Sequence, residues 1–273
     1  MNYSQQAAIG VFDSGIGGLT VVSELRRALP QERVIYLGDT ARLPYGTKSA
    51  ETIRRYSAQN ADFLLRQGIK LLVVACNSAS AWAVQELSES VSVPVLGVIE
   101  PGCASAVRNY RGGAIGVIGT AATISSGAYT AAIHALAPNA EVHCQACPLF
   151  VPIVEEGLLE GPITDLVIER YLHPLADCRV ESLVLGCTHY PLLKPAIGRF
   201  MGNGVRLIDS AESVAEAVAE RLRSDGLLSQ GRSEADKFYL TDQSPSFRRT
   251  LAVFLGGEEE PVELVDVHRG ADQ

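Results

Sequence analysis

The chain has 273 residues, 47% hydrophobic and 20% charged, enough for one large domain or two modest ones. Its net charge is −8, only four of its 23 basic residues are lysines (Lys48, Lys70, Lys194, Lys237), and no basic run or basic helical face stands out, which argues against a nucleic-acid groove. No apolar run reaches the length of a membrane span, and MNYSQQAAIG lacks the charged start and apolar stretch of a signal peptide, so a soluble cytoplasmic protein is expected.

The first strand-like run, AIGVFD (8–13), leads through DSGIGG (13–18) into a helix-period stretch at 17–29. Glycines there permit close backbone approach and a helix N-terminus favours anions. The pattern nevertheless lacks the GK[ST] of a phosphate loop and the full GxGxxG spacing of a dinucleotide site. A tight strand–helix turn explains it equally, except that Asp13 then needs a partner: it caps the helix or tunes a neighbour. VIYLGD (34–39) ends in GDTARLPYG (38–46), a loop in which Pro44 and Gly46 are expected to hold Tyr45 outward. A helix pattern at 49–67 precedes KLLVVAC (70–76). Its continuation, CNSAS, sets Asn77, Ser78 and Ser80 at the first turn of a helix over 78–89, where caps belong.

VPVLGV (93–98) and AIGVIGT (114–120) follow, then a helix pattern at 123–137 and a strand closed by CQAC (144–147). SLVLGC (182–187) runs into CTHYP, placing Thr188 and His189 just ahead of a helical stretch at 190–201. VRLIDS (205–210) and a helix over 211–224 lead into the tail. Doubly apolar strands alternating with helices predict an α/β fold with a mostly parallel sheet, whose ligands gather at the carboxyl ends of the strands.

A repeat emerges when the halves are laid side by side. IGVFDSGIGG (9–18) matches IGVIGTAATI (115–124) at an offset of 106, and LLVVACNSAS (71–80) matches SLVLGCTHYP (182–191) at 111. Two similar, pseudo-symmetric α/β domains facing each other are therefore expected, with the active site between them. The tail beyond 211 has no counterpart in the second half and is expected to complete the first. The division is then 1–97 plus 210–273 for the first domain and 98–209 for the second. No Ser-, Gly- or Pro-rich linker marks the boundary, so the domains should pack tightly.

Six cysteines (76, 103, 144, 147, 178, 187) in a chain this large do not make a disulfide scaffold; they are core thiols, ligands or nucleophiles. Cys76 and Cys187 stand out because each ends an apolar strand and is followed at once by hydroxyl or amide side chains. A helix N-terminus after the cysteine would lower a thiol pKa from about 8.5 toward the thiolate, and His189 is placed to polarise Cys187. A zinc site would need a second pair beside CQAC, which the chain lacks, so no metal is expected. A thioredoxin-like pair at CQAC is a further reading, as is a Cys/His hydrolase, which would leave one of the two strand-end cysteines idle. Symmetry makes the sharper suggestion. One thiol on each face of a ligand suits inversion at a carbon with a removable proton: a thiolate takes the proton and the opposite thiol delivers another. Neither motif holds a lysine of the pyridoxal phosphate type, so no cofactor is expected. Cys103 and Cys178 are read as structural, and the sequence assigns Cys144 and Cys147 no role.

Together, DSGIGG, DTARLPYG, ACNSAS, GVIGTAATISSGAY and LGCTHYPLL closely resemble the aspartate/glutamate racemase superfamily, and within it the bacterial glutamate racemases, over residues 9–225. The resemblance implies cofactor-independent interconversion of L- and D-glutamate, supplying D-glutamate for peptidoglycan. It also implies a cytoplasmic homodimer whose partner is the small-molecule substrate. By position, Cys76 and Cys187 resemble the two acid/base thiols, assisted by Asp13 and His189 respectively. Asp13, Ser14, Tyr45, Gly46, Asn77, Ser78, Thr188 and His189 would bind substrate, with Glu155 holding the ammonium. Ser78 stands where the family commonly has Thr, which keeps the hydroxyl and loses a methyl contact. With no long extension before the first motif, activation by a nucleotide precursor is not expected. The alternatives are a racemase of aspartate or a related amino acid, and a catalytically idle amino-acid-binding module. Retention of both cysteines argues against the idle module.

Overall fold

The computed structural model describes residues 4–108, 110–232, 234–243 and 260–267; positions 244–259 and 268–273 of the expected first domain lie outside the described residues. The apolar runs form two parallel sheets. In the first, β1 (Ala8–Asp13), β2 (Val34–Gly38), β3 (Ile69–Val74) and β4 (Val95–Gly97) are joined by β9 (Lys237–Leu240) and β10 (Val262–Leu264), in the order β10-β9-β2-β1-β3-β4. The second holds β5 (Ala114–Gly119), β6 (Val142–Ala146), β7 (Val180–Gly186) and β8 (Arg206–Asp209), in the order β6-β5-β7-β8. Every residue of β1, β2, β3 and β5 is buried, as strands covered on both faces must be.

The two orders superpose: β1 and β5 are central, flanked by β2 and β3 in one sheet and by β6 and β7 in the other. This is the spatial form of the sequence repeat. The correspondence stops at β6, an edge strand in the second sheet, whereas β2 is covered by β9 and β10 from the tail. Around the first sheet lie α1 (Leu19–Ala28), α2 (Ala50–Arg66), α3 (Asn77–Ser90) and α10 (Ser210–Ser224). The second carries α4 (Ile99–Arg108), α5 (Ala121–Ser125), α6 (Ala128–Leu136), α7 (Phe150–Glu155), α8 (Pro162–Asp177) and α9 (Lys194–Met201). Ser49, Thr120 and Asp209 cap α2, α5 and α10 by accepting from first-turn N–H groups.

Two expected helices are divided. Gly127, at φ +68°, separates α5 from α6 within the expected 123–137 helix. The 190–201 stretch opens as a 3-10 turn over Tyr190–Leu193 before α9, since Pro191 and Pro195 remove two backbone donors from its start. α4, α7 and α8 are additions to the expected elements. Proline masks α4 and α8, with Pro101 in the first and Pro174 inside the second.

The return of the chain to the first sheet is fixed by a buried ion pair. Lys70 Nζ lies 2.6 Å from Glu32 Oε2, with both side chains almost fully shielded from water. The same ammonium donates to the carbonyls of Gln5 (2.6 Å) and Leu227 (2.8 Å), and Glu32 Oε1 accepts from Ser229 N–H at 2.8 Å. Removing one partner leaves a buried charge uncompensated. Lys70→Met is therefore expected to lower the unfolding free energy by about 3–5 kcal/mol in urea titrations, and Lys70→Met with Glu32→Gln to recover much of it. A loss below about 1 kcal/mol for the single variant would show that the clamp contributes nothing net.

Candidate active site

Cys76 lies just past β3 and precedes the first turn of α3; Cys187 follows β7 directly. Both line one cleft between the domains, one thiol from each. The cleft is narrow, with about 30 Å³ of room for the centre of a water molecule, and its walls include Ser14, Tyr45, Gly46, Asn77, Ser78, Glu155, Thr188 and His189. Of the expected site residues, only Asp13 is not on the wall; it is fully buried. Leu43, Pro44, Thr120 and Val151 line the cleft in addition. Thr120 was legible in the repeat, because it stands 106 residues beyond Ser14. A wider hollow near Arg111, Glu181 and Arg206, at the starts of β7 and β8, contains none of these groups.

All six cysteines are free thiols, and among the described residues no group of three or more His, Cys, Asp or Glu could hold a metal ion. Of the CQAC pair, Cys144 is exposed and Cys147 buried. Cys103 is fully buried, whereas Cys178 is exposed at the end of α8.

Small residues allow the two domains to close on the cleft. A Cβ at Gly17 would sit 2.3 Å from Thr188 Oγ1 and 2.6 Å from His189 Nδ1; one at Gly46 would sit 2.6 Å from Thr120 Cβ. Ser78 Oγ reaches across to Thr120 Oγ1 at 2.9 Å and Thr123 Oγ1 at 3.2 Å. Asn77 Nδ2 donates to the Tyr129 hydroxyl at 2.7 Å, and Trp82 Nε1 donates to the Ala122 carbonyl at 3.0 Å.

Tyr45 corrects its expected placement. Far from being held outward by Pro44 and Gly46, it is fully buried. Its hydroxyl donates to Asp39 Oδ2 and accepts from Asn60 Nδ2 at 3.0 Å, and its ring rests against Tyr56. A buried carboxylate needs donors, and Asp39 draws the phenol inward.

The expected lowering of the Cys76 pKa is also corrected. Burial pushes the thiol up to about 12 and the nearby Asp13 carboxylate adds to the rise. The hydrogen bond to Ser14 Oγ at 3.5 Å and the Ala79 N–H at the helix start pull the other way without prevailing. Burial likewise raises the pKa of Asp13, opposed by the charge of His189 and by N–H donors that include Gly15 at 3.0 Å. His189 behaves differently. Burial alone would lower its pKa, but Cys187 and Glu155 hold it at about 10, so the imidazole is protonated at neutral pH. Its Nδ1 lies 4.0 Å from Cys187 Sγ and its Nε2 3.3 Å from Glu155 Oε1. The cleft thus offers a thiol from each domain, with a cation beside one and a buried carboxylate behind the other.

The Asp/Glu/Hydantoin racemase family model matches residues 9–218. The chain is 52% identical over 252 residues to a glutamate racemase of Geobacter metallireducens, covering 92% of this chain and 93% of that one. It is 49% identical over 253 residues to a glutamate racemase of Aquifex aeolicus, covering 93% and 96%. It superposes with a TM-score of 0.91, at 42% identity, on the crystal structure of glutamate racemase from Francisella tularensis in complex with D-glutamate, covering 96% of this chain and 98% of that one.

The elevated Cys76 pKa has a direct chemical consequence. With a pKa of about 12, only about 10⁻⁴ of this thiol is ionised at pH 8. Iodoacetamide at pH 8 is expected to label the exposed Cys144 and Cys178 long before Cys76, with the Cys76 rate rising about tenfold per pH unit. Peptide mapping by mass spectrometry reads the order. Labelling of Cys76 as fast as Cys178 at pH 8 would contradict the shielded thiol.

Proposed function

From the Asp/Glu/hydantoin racemase family, to which this chain belongs, we propose that it interconverts L- and D-glutamate in the interdomain cleft, without a cofactor, and supplies D-glutamate for peptidoglycan. The observation that carries this reading is the pair of free thiols, one from each domain, lining a single cleft. A binding module has no need of two thiols there.

In the proposed reaction Cys76 and Cys187 act as base and acid on opposite faces of the α-carbon. The imidazolium of His189 offers a charge-assisted hydrogen bond to a Cys187 thiolate, while Cys76 waits as a neutral thiol. Cys187 then takes the α-proton of L-glutamate into a new S–H bond. The electron pair remains on carbon, and the Cys76 proton is delivered to the other face, leaving D-glutamate and a Cys76 thiolate. The reverse direction uses the opposite assignment, with Asp13 behind Cys76 tuning its proton affinity. Glu155, 37% exposed at its side chain and paired with His189, would meet the substrate ammonium. Ser14, Asn77, Ser78, Thr188 and the Tyr45–Gly46 segment would receive the carboxylates, assisted by the N-terminus of α3.

The same proposal includes the domain division 1–97 plus 210–273 and 98–209, which the tail strands on the first sheet support. It also includes a cytoplasmic homodimer. Exposed Ile163 and Leu166 on α8 supply apolar surface for a second copy, and among the described residues no helix is long and apolar enough to cross a membrane.

Three experiments test the chemistry. Racemisation by the purified protein is expected to survive exhaustive dialysis against EDTA, and activity restored only by added zinc would count against a two-thiol reaction. Cys76→Ala and Cys187→Ala should each reduce racemisation by about 10²–10⁴-fold or more, equally in both directions, because the enantiomers have equal free energy. In heavy water the two variants should differ: Cys187→Ala exchanges the α-hydrogen of D-glutamate only, and Cys76→Ala that of L-glutamate only. Exchange of both enantiomers at similar rates by either variant would overturn the assignment of one thiol to each face.

A further inference from the structure

The family match ends at residue 218, yet a strand beyond it touches the machinery of the cleft. β9 pairs with β2, bringing Leu240 opposite Gly38 and carrying the chain on to Thr241. Thr241 Oγ1 donates to Asp39 Oδ1 at 3.0 Å and accepts from the Ala41 N–H at 2.9 Å. Thr40 Oγ1 in turn receives the Asp242 N–H at 2.8 Å, and the Thr241 N–H is bound by the Gly38 carbonyl at 3.1 Å.

Asp39 is fully buried, so its carboxylate depends on every donor it has. Arg42 Nε supplies one at 2.7 Å, the Tyr45 hydroxyl another, and Thr241 a third. Between them, residues 40–47 form two short 3-10 turns, Thr40–Arg42 and Tyr45–Thr47, separated by Leu43 and Pro44. Turns of this kind have poor hydrogen-bond geometry of their own and take their shape from what holds them. The same residues present Leu43 to Gly46 to the cleft. Among the described residues the second domain has no equivalent brace, because β6 is an edge strand there.

We propose that Thr241 is a positioning residue: its hydroxyl, joining the tail strand to Asp39 and Ala41, sets the Tyr45–Gly46 wall against which glutamate binds. The proposal rests on the glutamate reading above. It gives the tail, which the sequence repeat leaves without a counterpart, a part in substrate binding.

The test compares Thr241→Val, which keeps the shape and removes the hydroxyl, with Thr241→Ser, which keeps the hydroxyl. Thr241→Val is expected to raise KM for both enantiomers about tenfold, the scale of one hydrogen bond to a carboxylate, with kcat within about twofold of the parent. Thr241→Ser is expected to stay within about twofold on both parameters. In hydrogen–deuterium exchange, the peptide covering 40–47 should exchange faster in the valine variant and not in the serine variant. An unchanged KM in Thr241→Val, or a fall in kcat at constant KM, would overturn the positioning role. So would an equal rise in KM in Phe238→Leu, which loosens the same strand without touching Asp39. If the parent protein does not racemise glutamate, the functional reading fails by itself, and the exchange data still decide whether Thr241 holds the 40–47 turns.

Discussion

A thiol kept out of water cannot easily carry charge, and that constraint shapes everything around this cleft. Desolvation disfavours the thiolate, and at Cys76 it prevails over a hydroxyl partner and a helix start. Charge must then come from neighbours chosen for it, and here the two halves part company. Cys76 and Cys187 occupy equivalent places in the repeat, but their charged neighbours do not. Gly119 stands where the first half has Asp13, at an offset of 106, and Ser78 stands where the second half has His189, at 111. The repeat keeps the thiols in equivalent places but not the residues that tune them. One side of the cleft has the buried carboxyl of Asp13 and the other a buried cation, each influencing the other: burial raises the pKa of Asp13 and His189 opposes that rise, while Asp13 helps to raise the pKa of His189.

Such mutual influence requires the two domains to be close, and glycine provides the closeness. The loop after β1 passes Gly17 against Thr188 and His189, while Gly18 passes over Asp13. A side chain at Gly17 would displace Thr188 and His189, and one at Gly18 would displace Asp13. Ser78, Thr120 and Thr123 close another part of the rim with hydroxyls that satisfy one another. A buried hydroxyl without a partner would disfavour this contact, and here each of the three has one.

Much of this arrangement was legible in the sequence because the signals are local. Doubly apolar runs mark β1, β3, β5 and β7, and the paired offsets mark a duplicated design with strand-end cysteines. Those strands form in the positions expected, and Thr120 follows from the same arithmetic as Cys187. What sequence could not show depends on tertiary partners. Pro44 and Gly46 suggest an exposed Tyr45, but the buried carboxylate of Asp39, six residues earlier, captures its hydroxyl. A helix start after Cys76 suggests a low thiol pKa, yet the depth of burial that reverses it depends on both domains. α4 is hidden by Pro101 and Gly102, and β9 by its distance in sequence from the β2 edge that it covers.

The asymmetry of charge has to be reconciled with a reaction whose two directions are energetically equal. In the proposed reaction, the form that accepts L-glutamate is the one with its negative charge at Cys187, beside His189. Each conversion to D-glutamate then leaves the protein in the other form, with the charge moved to Cys76, where burial and Asp13 oppose it. In the proposed two-thiol reaction, product release alone would not restore the starting state; a proton would have to leave Cys187 and another reach Cys76. The imbalance between the two forms changes how much enzyme waits in each, not the equilibrium between the enantiomers, because the substrate and product energies contain no contribution from the protein. A cleft with a cation on one side only is therefore compatible with a symmetric reaction, provided that protons pass between its thiols and solvent. Glu155, joined to His189 and partly open to water, continues the chain of polar groups that starts at Cys187.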